Sequence, residues 1–256
     1  MSSSQIPALA AAGDTPRIRA VDHGAANVIA RETDAAPPVA VPAPAEEFFN
    51  AVTHAAGCVL AIVAASALLA QVSRHGDRFQ LAAASIYSVT LVAAYAASSL
   101  SHMFQSPRAR GAFRIADQAL IFLFIAGSWT PIAATWLRSG RGWWAFHAGV
   151  WAVALAGFLS KALFAHRVTL GTVSAGLYLL LGWSPVLVAV PLAHALPMAL
   201  CLWLLAGGAC YTLGLLFFHF DDRVAYFHAA WHVLVIAGSA CHYLGILIYC
   251  TAAPAR

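Results

Sequence analysis

His228-Ala229-Ala230-Trp231-His232-Val233-Leu234-Val235-Ile236-Ala237-Gly238 opens an apolar run that continues to Cys250. A bilayer-spanning helix needs about 20 mostly apolar residues, and the stretch 229–250 supplies them. Six similar stretches precede it, at 49–72, 81–104, 115–137, 143–164, 168–190 and 196–218. The chain of 256 residues is 61% hydrophobic and 9% charged, with mean hydropathy +0.76. A soluble domain carries roughly 25% charged residues. The chain therefore reads as an all-α integral membrane protein, a seven-transmembrane helix bundle. Its apolar runs are continuous rather than alternating, which argues against a porin-type barrel. Connections between the runs are short, so no soluble domain is expected among them.

Residues 1–45 are polar and alanine-rich and end in Ala35-Ala36-Pro37-Pro38-Val39-Ala40-Val41-Pro42-Ala43-Pro44-Ala45. Such a composition buries too little apolar surface to fold, so a disordered tail is expected ahead of a membrane domain at 46–252. The tail lacks the basic start and apolar core of a signal peptide, and the first span is expected to act as an uncleaved insertion signal. The net charge of +4 rests on 13 arginines and the single lysine, Lys161. That small excess lies in loops and tail and does not form the basic stripe of a nucleic-acid-binding domain. Cys58, Cys201, Cys210, Cys241 and Cys250 fall inside apolar spans with no CxxC spacing, and read as small core residues. With the N-terminus inside, the inner connections hold Arg108, Arg110, Arg114, Lys161, Arg167 and Arg223, against Arg74, Arg78, Arg138, Arg141 and Arg256 outside. Charge alone gives N-inside a narrow preference.

Ionisable groups in membrane spans are expensive and usually mark a working site. His102 closes the second span, Asp117 lies near the start of the third, and His228 and His232 open the seventh. In an alternating bundle these ends share one membrane face, together with His54 near the start of span one. The spacing His228 to His232 puts both rings on one helical face, as does Ser98 to His102. Facing helices of a bundle commonly build metal sites in this way. Three neutral imidazoles suit Zn²⁺ and leave a fourth tetrahedral position open. Ala229 follows the first histidine, so the pair is not the HExxH of metalloproteases. The base must come from elsewhere. Asp117 is the only acidic residue within these predicted spans, and Asp117 and Ser98 are the expected catalytic pair, one accepting a proton and the other orienting water.

Each group alone has an ordinary alternative. Two histidines in an apolar helix can be satisfied by neighbouring polar atoms, His102 can be interfacial, and Asp117 can pair with Arg114 or cap span three. His54 is expected to hydrogen-bond near the same mouth. His242 stands ten residues past His232, about 15 Å along the axis, too far to share a metal. No span shows a polar stripe of the kind that lines an aqueous channel.

Several motifs resemble the haemolysin III family, the bacterial branch of the progestin and adipoQ receptors that include the adiponectin receptors. They are Glu47-Phe48-Phe49-Asn50-Ala51-Val52-Thr53-His54-Ala55-Ala56-Gly57, Ser98-Ser99-Leu100-Ser101-His102, Asp117-Gln118-Ala119-Leu120 through Thr130-Pro131, Gly182-Trp183, Gly207-Gly208-Ala209-Cys210-Tyr211-Thr212-Leu213-Gly214 and His228-Ala229-Ala230-Trp231-His232. The resemblance covers residues 46–250 and implies seven helices in a bacterial inner membrane with the N-terminus cytoplasmic. It implies a Zn²⁺ cofactor on His102, His228 and His232, with Asp117 and Ser98 beside it. The wider superfamily includes ceramidases, which suggests hydrolysis of a lipid amide or ester, with membrane lipids as partners. Ser101 stands where the family usually has tyrosine, and Phe218-His219-Phe220 also departs from a more usual tyrosine. Two rivals stand beside a zinc hydrolase: a haemolysin-type pore-forming, cytolytic protein, and a receptor or membrane-homeostasis protein in which zinc is structural.

Overall fold

The computed structural model describes residues 44–138, 140–164 and 171–251. Among them the regular structure is entirely helical. We label the helices α1 (Pro44–His75), α2 (Arg78–Met103), α3 (Pro107–Trp136), α4 (Arg141–Phe164), α5 (Gly171–Gly182), α6 (Ala189–Ala195), α7 (Met198–His219) and α8 (Phe227–Tyr249). Seven segments are long and apolar enough to cross a membrane, the fifth being Ser174–Ala195. That span is expected to run as one stretch over 168–190, but it is composite. A 3₁₀ segment, Ser184–Val188, with Pro185 near its start, separates α5 from α6. Proline removes a backbone donor and its ring crowds the preceding turn. Pro131 by contrast sits inside an unbroken α3. The expected tail, residues 1–45, lies outside the described residues except for Pro44 and Ala45, which begin α1.

Neighbouring spans pack in chain order, and α8 returns to α1, so the first and last spans are in contact. Lipid tails are as apolar as leucine, so helix association relies on close packing and interhelical hydrogen bonds. Large apolar side chains such as Val59, Val63, Leu163, Leu180 and Leu216 accordingly remain exposed on the bundle's outer face. Inside, Leu68, Val72, Tyr87, Leu91, Ile132 and Leu200 form one buried core. Gly127 lets α3 approach α2 closely, since a Cβ there would collide with Thr90 Oγ1.

Helix ends are fixed by local chemistry. Asp77 caps α2 by accepting from the backbone N–H groups of Phe79 and Gln80 at 2.9 and 3.0 Å, and Gln80 Oε1 accepts from the Asp77 N–H at 2.9 Å. This reciprocal box satisfies donors that the first turn leaves free. The same carboxylate pairs with Arg138 at the end of α3. Ser106 caps α3, with Pro107 in its first turn. Tyr226, before α8, has φ 65°, unusual for a residue with a large side chain. Its N–H donates to Glu46 Oε1 at 2.9 Å, which ties the start of α8 to the start of α1.

Two expectations need correction. The first span begins at Pro44 rather than 49, so Glu46 and Glu47 belong to the opening turn of α1 and Asp117 is not the only acidic group on a spanning helix. An acidic pair suits a helix N-terminus, and a search for uncharged stretches clips it off. Secondly, α2 carries several buried polar side chains that a reading for channel-lining stripes passes over. Gln80, Tyr87, Ser88, Tyr95, Ser98, Ser99 and His102 are all buried, and at 100° per residue they fall within a sector of about 120° that they share with Ala84 and Leu91. Tyrosine scores as apolar and serine as small, which hides the face from a hydropathy profile.

Candidate metal centre

His102 is the penultimate residue of α2, and His228 and His232 lie in the first two turns of α8. Antiparallel crossing of those two ends brings the three rings together. Ring centroids stand 5.2 Å apart for His102 and His228, 5.2 Å for His102 and His232, and 4.5 Å for His228 and His232. One ring nitrogen from each lies within 4.8 Å of the others, a spacing that could hold a metal ion.

Behind each ring stands an oxygen at Nδ1. Asp221 Oδ2, from the loop after α7, is 2.6 Å from His228 Nδ1. Thr53 Oγ1, from α1, is 3.0 Å from His232 Nδ1. Glu47 Oε2, also from α1, is 3.3 Å from His102 Nδ1, an ion-pair distance without hydrogen-bond alignment. Metal-ligating imidazoles typically donate their other N–H to a carboxylate or similar acceptor, which fixes tautomer and ring orientation. With Nδ1 turned to these oxygens, Nε2 is the nitrogen left to an ion. The donor set fits a divalent first-row cation: three imidazoles on two rigid helices, each backed by an oxygen. Glu47 is held in turn by Arg110, whose guanidinium lies 3.1 Å from Oε1 and whose Nε donates to Phe104 O at 3.1 Å.

Ser98 lies one turn before His102 and is buried. Asp117 stands beside Ser98, within reach of its hydroxyl and of the field of His228 and Arg114. The carboxylate lies outside the group of three converging nitrogens. Asp117 is ten residues inside α3, whose cap is Ser106, so it does not cap that helix. The helix begins at Pro107, before the expected span 115–137, so Asp117 lies further from its start than the sequence suggests. Its side chain is partly exposed at the position where α3 faces α2. Ser101 donates to Ser98 O at 2.8 Å and spends its hydroxyl on its own helix. Phe218 stacks near His228 and Trp231, with centroids 6.0 and 5.2 Å away.

His54 is drawn into the cluster more tightly than its sequence position suggests. It is 5% exposed, and its ring lies over His232 with centroids 3.5 Å apart and a 32° tilt. Neither of its nitrogens has a hydrogen-bond partner. His242 is apart from the cluster, with Nε2 3.2 Å from Leu204 O between α7 and α8. Sequence spacing does not single out Thr53 or Asp221. For Glu47 a weak signal exists, since it precedes His54 by seven residues and so shares its helical face.

Comparison with known proteins agrees with this architecture. Residues 43–243 match the family model described as haemolysin-III related. The chain is 34% identical over 204 residues to Hemolysin-3 of Bacillus cereus, covering 80% of this chain and 91% of that protein. It is 31% identical over 209 residues to the Hemolysin-3 homolog of Bacillus subtilis (strain 168), covering 82% and 96%. A human protein, monocyte to macrophage differentiation factor, is 31% identical over 203 residues, covering 74% and 78%. No solved structure matches the chain. The motifs from Glu47 to His232 thus lie inside the residues that the family model matches, two bacterial relatives are covered almost end to end, and this multi-pass membrane protein belongs to the haemolysin-III-related family.

Proposed function

We propose that this protein is a zinc-dependent, hydrolase-like membrane protein acting on a lipid amide or ester. The observation that carries the proposal is the convergence of His102, His228 and His232 within 4.8 Å, each backed by an oxygen at Nδ1. Those three side chains would hold the ion. When bound, Zn²⁺ supplies Lewis acidity toward a carbonyl group and a water molecule. Zinc suits neutral imidazole ligands and, with three of them, leaves one position for chemistry.

The remaining steps fall to the chain's own residues. Asp117, beside the trio but not within it, accepts a proton at its carboxylate and returns it to the leaving group. Ser98 holds that carboxylate through its hydroxyl. Glu47, Thr53 and Asp221 keep the three imidazoles aimed, so that little reorganisation is needed when substrate arrives. The site lies at a span end, so a membrane lipid could present its polar head there while its tails stay among the helices. Loop arginines favour a cytoplasmic N-terminus, which would put the site at the inner face of a bacterial cytoplasmic membrane.

The test is incubation of purified protein with a lipid extract from its host, followed by mass spectrometry. Wild type is expected to release a fatty acid or lyso-product that Asp117→Ala does not. Identical lipid profiles for both proteins would remove the support for hydrolysis.

The name of the Bacillus cereus relative, Hemolysin-3, favours a second reading as a cytolytic membrane protein. Vesicle leakage that persists in His102→Ala would favour that reading over hydrolysis.

A further inference from the structure

Lys161 is the only lysine in the chain and stands three residues before the end of α4, about 5 Å inside that helix. In an alternating bundle α4 ends at the membrane face where α3 starts. A lysine at a span end ordinarily lays its stem along the bundle and keeps its ammonium in water. Lys161 does not. The residue is 9% exposed, and its Nζ donates to Gln118 Oε1 on α3 at 2.9 Å. The packing beneath fixes this geometry. Phe122, one turn deeper than Gln118, meets Tyr178 of α5 edge-on, with ring centroids 4.6 Å apart. A Cβ on Gly157, one turn deeper than Lys161, would lie 2.6 Å from the Phe122 ring, so a glycine there lets α4 close on α3. Tyr178 Oη donates to Gln118 O at 2.7 Å and brings α5 to the same residue. An apolar plug thus underlies a polar layer made by three helices.

What this layer lacks is negative charge. Among the described residues no carboxylate lies within ion-pair distance of the Lys161 ammonium. Its partner is a neutral amide oxygen, which takes one of three N–H donors. Asp117, next to Gln118 in sequence, is turned to Ser98 on α2 instead. The dipole at the end of α4 favours a cation there but does not neutralise it. With Gln118 Oε1 facing the ammonium, its Nε2 remains a donor for another acceptor. Arg114, one turn earlier on the same face of α3, is exposed and also has no carboxylate within ion-pair distance. An ionisable group within a span is costly and by default marks a working site.

We propose that Lys161, Gln118 and Arg114 form a binding site for the phosphodiester of an anionic membrane phospholipid, at the seam between α3 and α4. Basic pockets between spans recognise headgroups of this kind. One unesterified phosphate oxygen accepts from Lys161 Nζ and the other from Gln118 Nε2, and the Arg114 guanidinium adds a second positive charge. Gln118 and Tyr178 are only half-buried, so the layer opens to the bundle's surface. The lipid tails lie along the outer face of α4 and α5, where Leu159, Leu163, Leu177 and Leu180 are exposed. That apolar bed favours a lipid over a free phosphate ion.

Native mass spectrometry of the full-length protein in detergent, with dioleoyl phosphatidylglycerol or dioleoyl phosphatidylcholine added, tests the site. Wild type is expected to retain phosphatidylglycerol at least about fivefold more tightly than phosphatidylcholine, the factor that one basic residue contributes near an anionic lipid. Lys161→Gln is expected to lose that preference and Lys161→Arg to keep it. Arg108→Gln removes the same charge from an exposed residue at the start of α3 and is expected to keep the preference too. Gln118→Glu gives Lys161 an internal carboxylate and is expected to lose the preference, an independent break should Lys161→Gln fold poorly by circular dichroism. Equal retention of the two lipids by wild type would overturn the proposal. So would a preference unchanged in folded Lys161→Gln or Gln118→Glu, or a loss in Arg108→Gln equal to that in Lys161→Gln. Displacement of phosphatidylglycerol by millimolar inorganic phosphate, or retention of oleate in its place, would overturn the phospholipid as ligand. None of these side chains is a ligand in the proposed metal centre, so failure here leaves that proposal standing.

Discussion

Glu47 illustrates how one side chain can serve two ends of the molecule. One carboxylate oxygen faces His102 Nδ1 and the other faces Arg110, so α1, the end of α2 and the start of α3 meet at a single residue. Outer carboxylates of this kind typically change metal affinity about 10- to 100-fold. Glu47→Gln is therefore expected to weaken metal binding by that factor in a chelator competition while leaving the helical signal intact. Unchanged affinity would mean that Glu47 only braces Arg110. His228, His232 and His102 were legible in the sequence because an imidazole in an apolar helix is conspicuous, and because span parity assigns all three to one face. Glu47, Thr53 and Asp221 were not. Glu47 lies in the first turn of α1, Asp221 in a loop and Thr53 is a hydroxyl within a helix, all ordinary places for such residues, and only the tertiary fold brings them to a ring nitrogen. Asp117 stands out in the sequence by its charge in an apolar stretch, and it lies further along its helix than that stretch suggests because α3 begins eight residues before 115–137 does.

At the level of helices, contact between α2 and α3 depends on small residues. A methyl group at Gly127 would strike the Thr90 hydroxyl, which is already held by the carbonyls of Ile86 and Tyr87 at 3.0 Å each. Gly127→Ala is expected to destabilise the purified protein by about 1–3 kcal/mol, read as a lower midpoint in thermal unfolding. The far end of α2 has a pH-dependent anchor. Backbone N–H donation from Gln80, then Arg138, holds the Asp77 carboxyl below its usual range. A depressed carboxyl contributes stability that is complete above the ordinary aspartate value of about 4 and is lost as pH falls through its lower folded value. Thermal unfolding measured between pH 6 and pH 2 is expected to show an acid-side loss that is smaller in Asp77→Asn. An identical loss in both proteins would assign the acid sensitivity elsewhere. Helix existence and type were readable from apolar run length alone. Helix limits were not, since capping chemistry at Asp77 and Ser106 and the Pro185 break set them independently of hydropathy.

Across the whole molecule, seven spans bring the two ends of the chain's membrane domain together, because α8 packs back on α1. That closure is what allows α1 to supply Glu47, Thr53 and His54 to rings carried by α2 and α8. It also explains why the site sits at a span end rather than mid-membrane: His102 is near the end of one helix and His228 near the beginning of another. The proposed function requires that His102, His228 and His232 together bind one zinc ion. Elemental analysis of detergent-purified protein by mass spectrometry, with X-ray absorption at the zinc edge, tests it most directly. About one zinc per chain is expected, with three imidazole nitrogens near 2.0–2.1 Å, and metal lost from each of His102→Ala, His228→Ala and His232→Ala. Full zinc occupancy in those three single variants, or wild-type protein without stoichiometric zinc after purification in zinc-replete buffer, would contradict it.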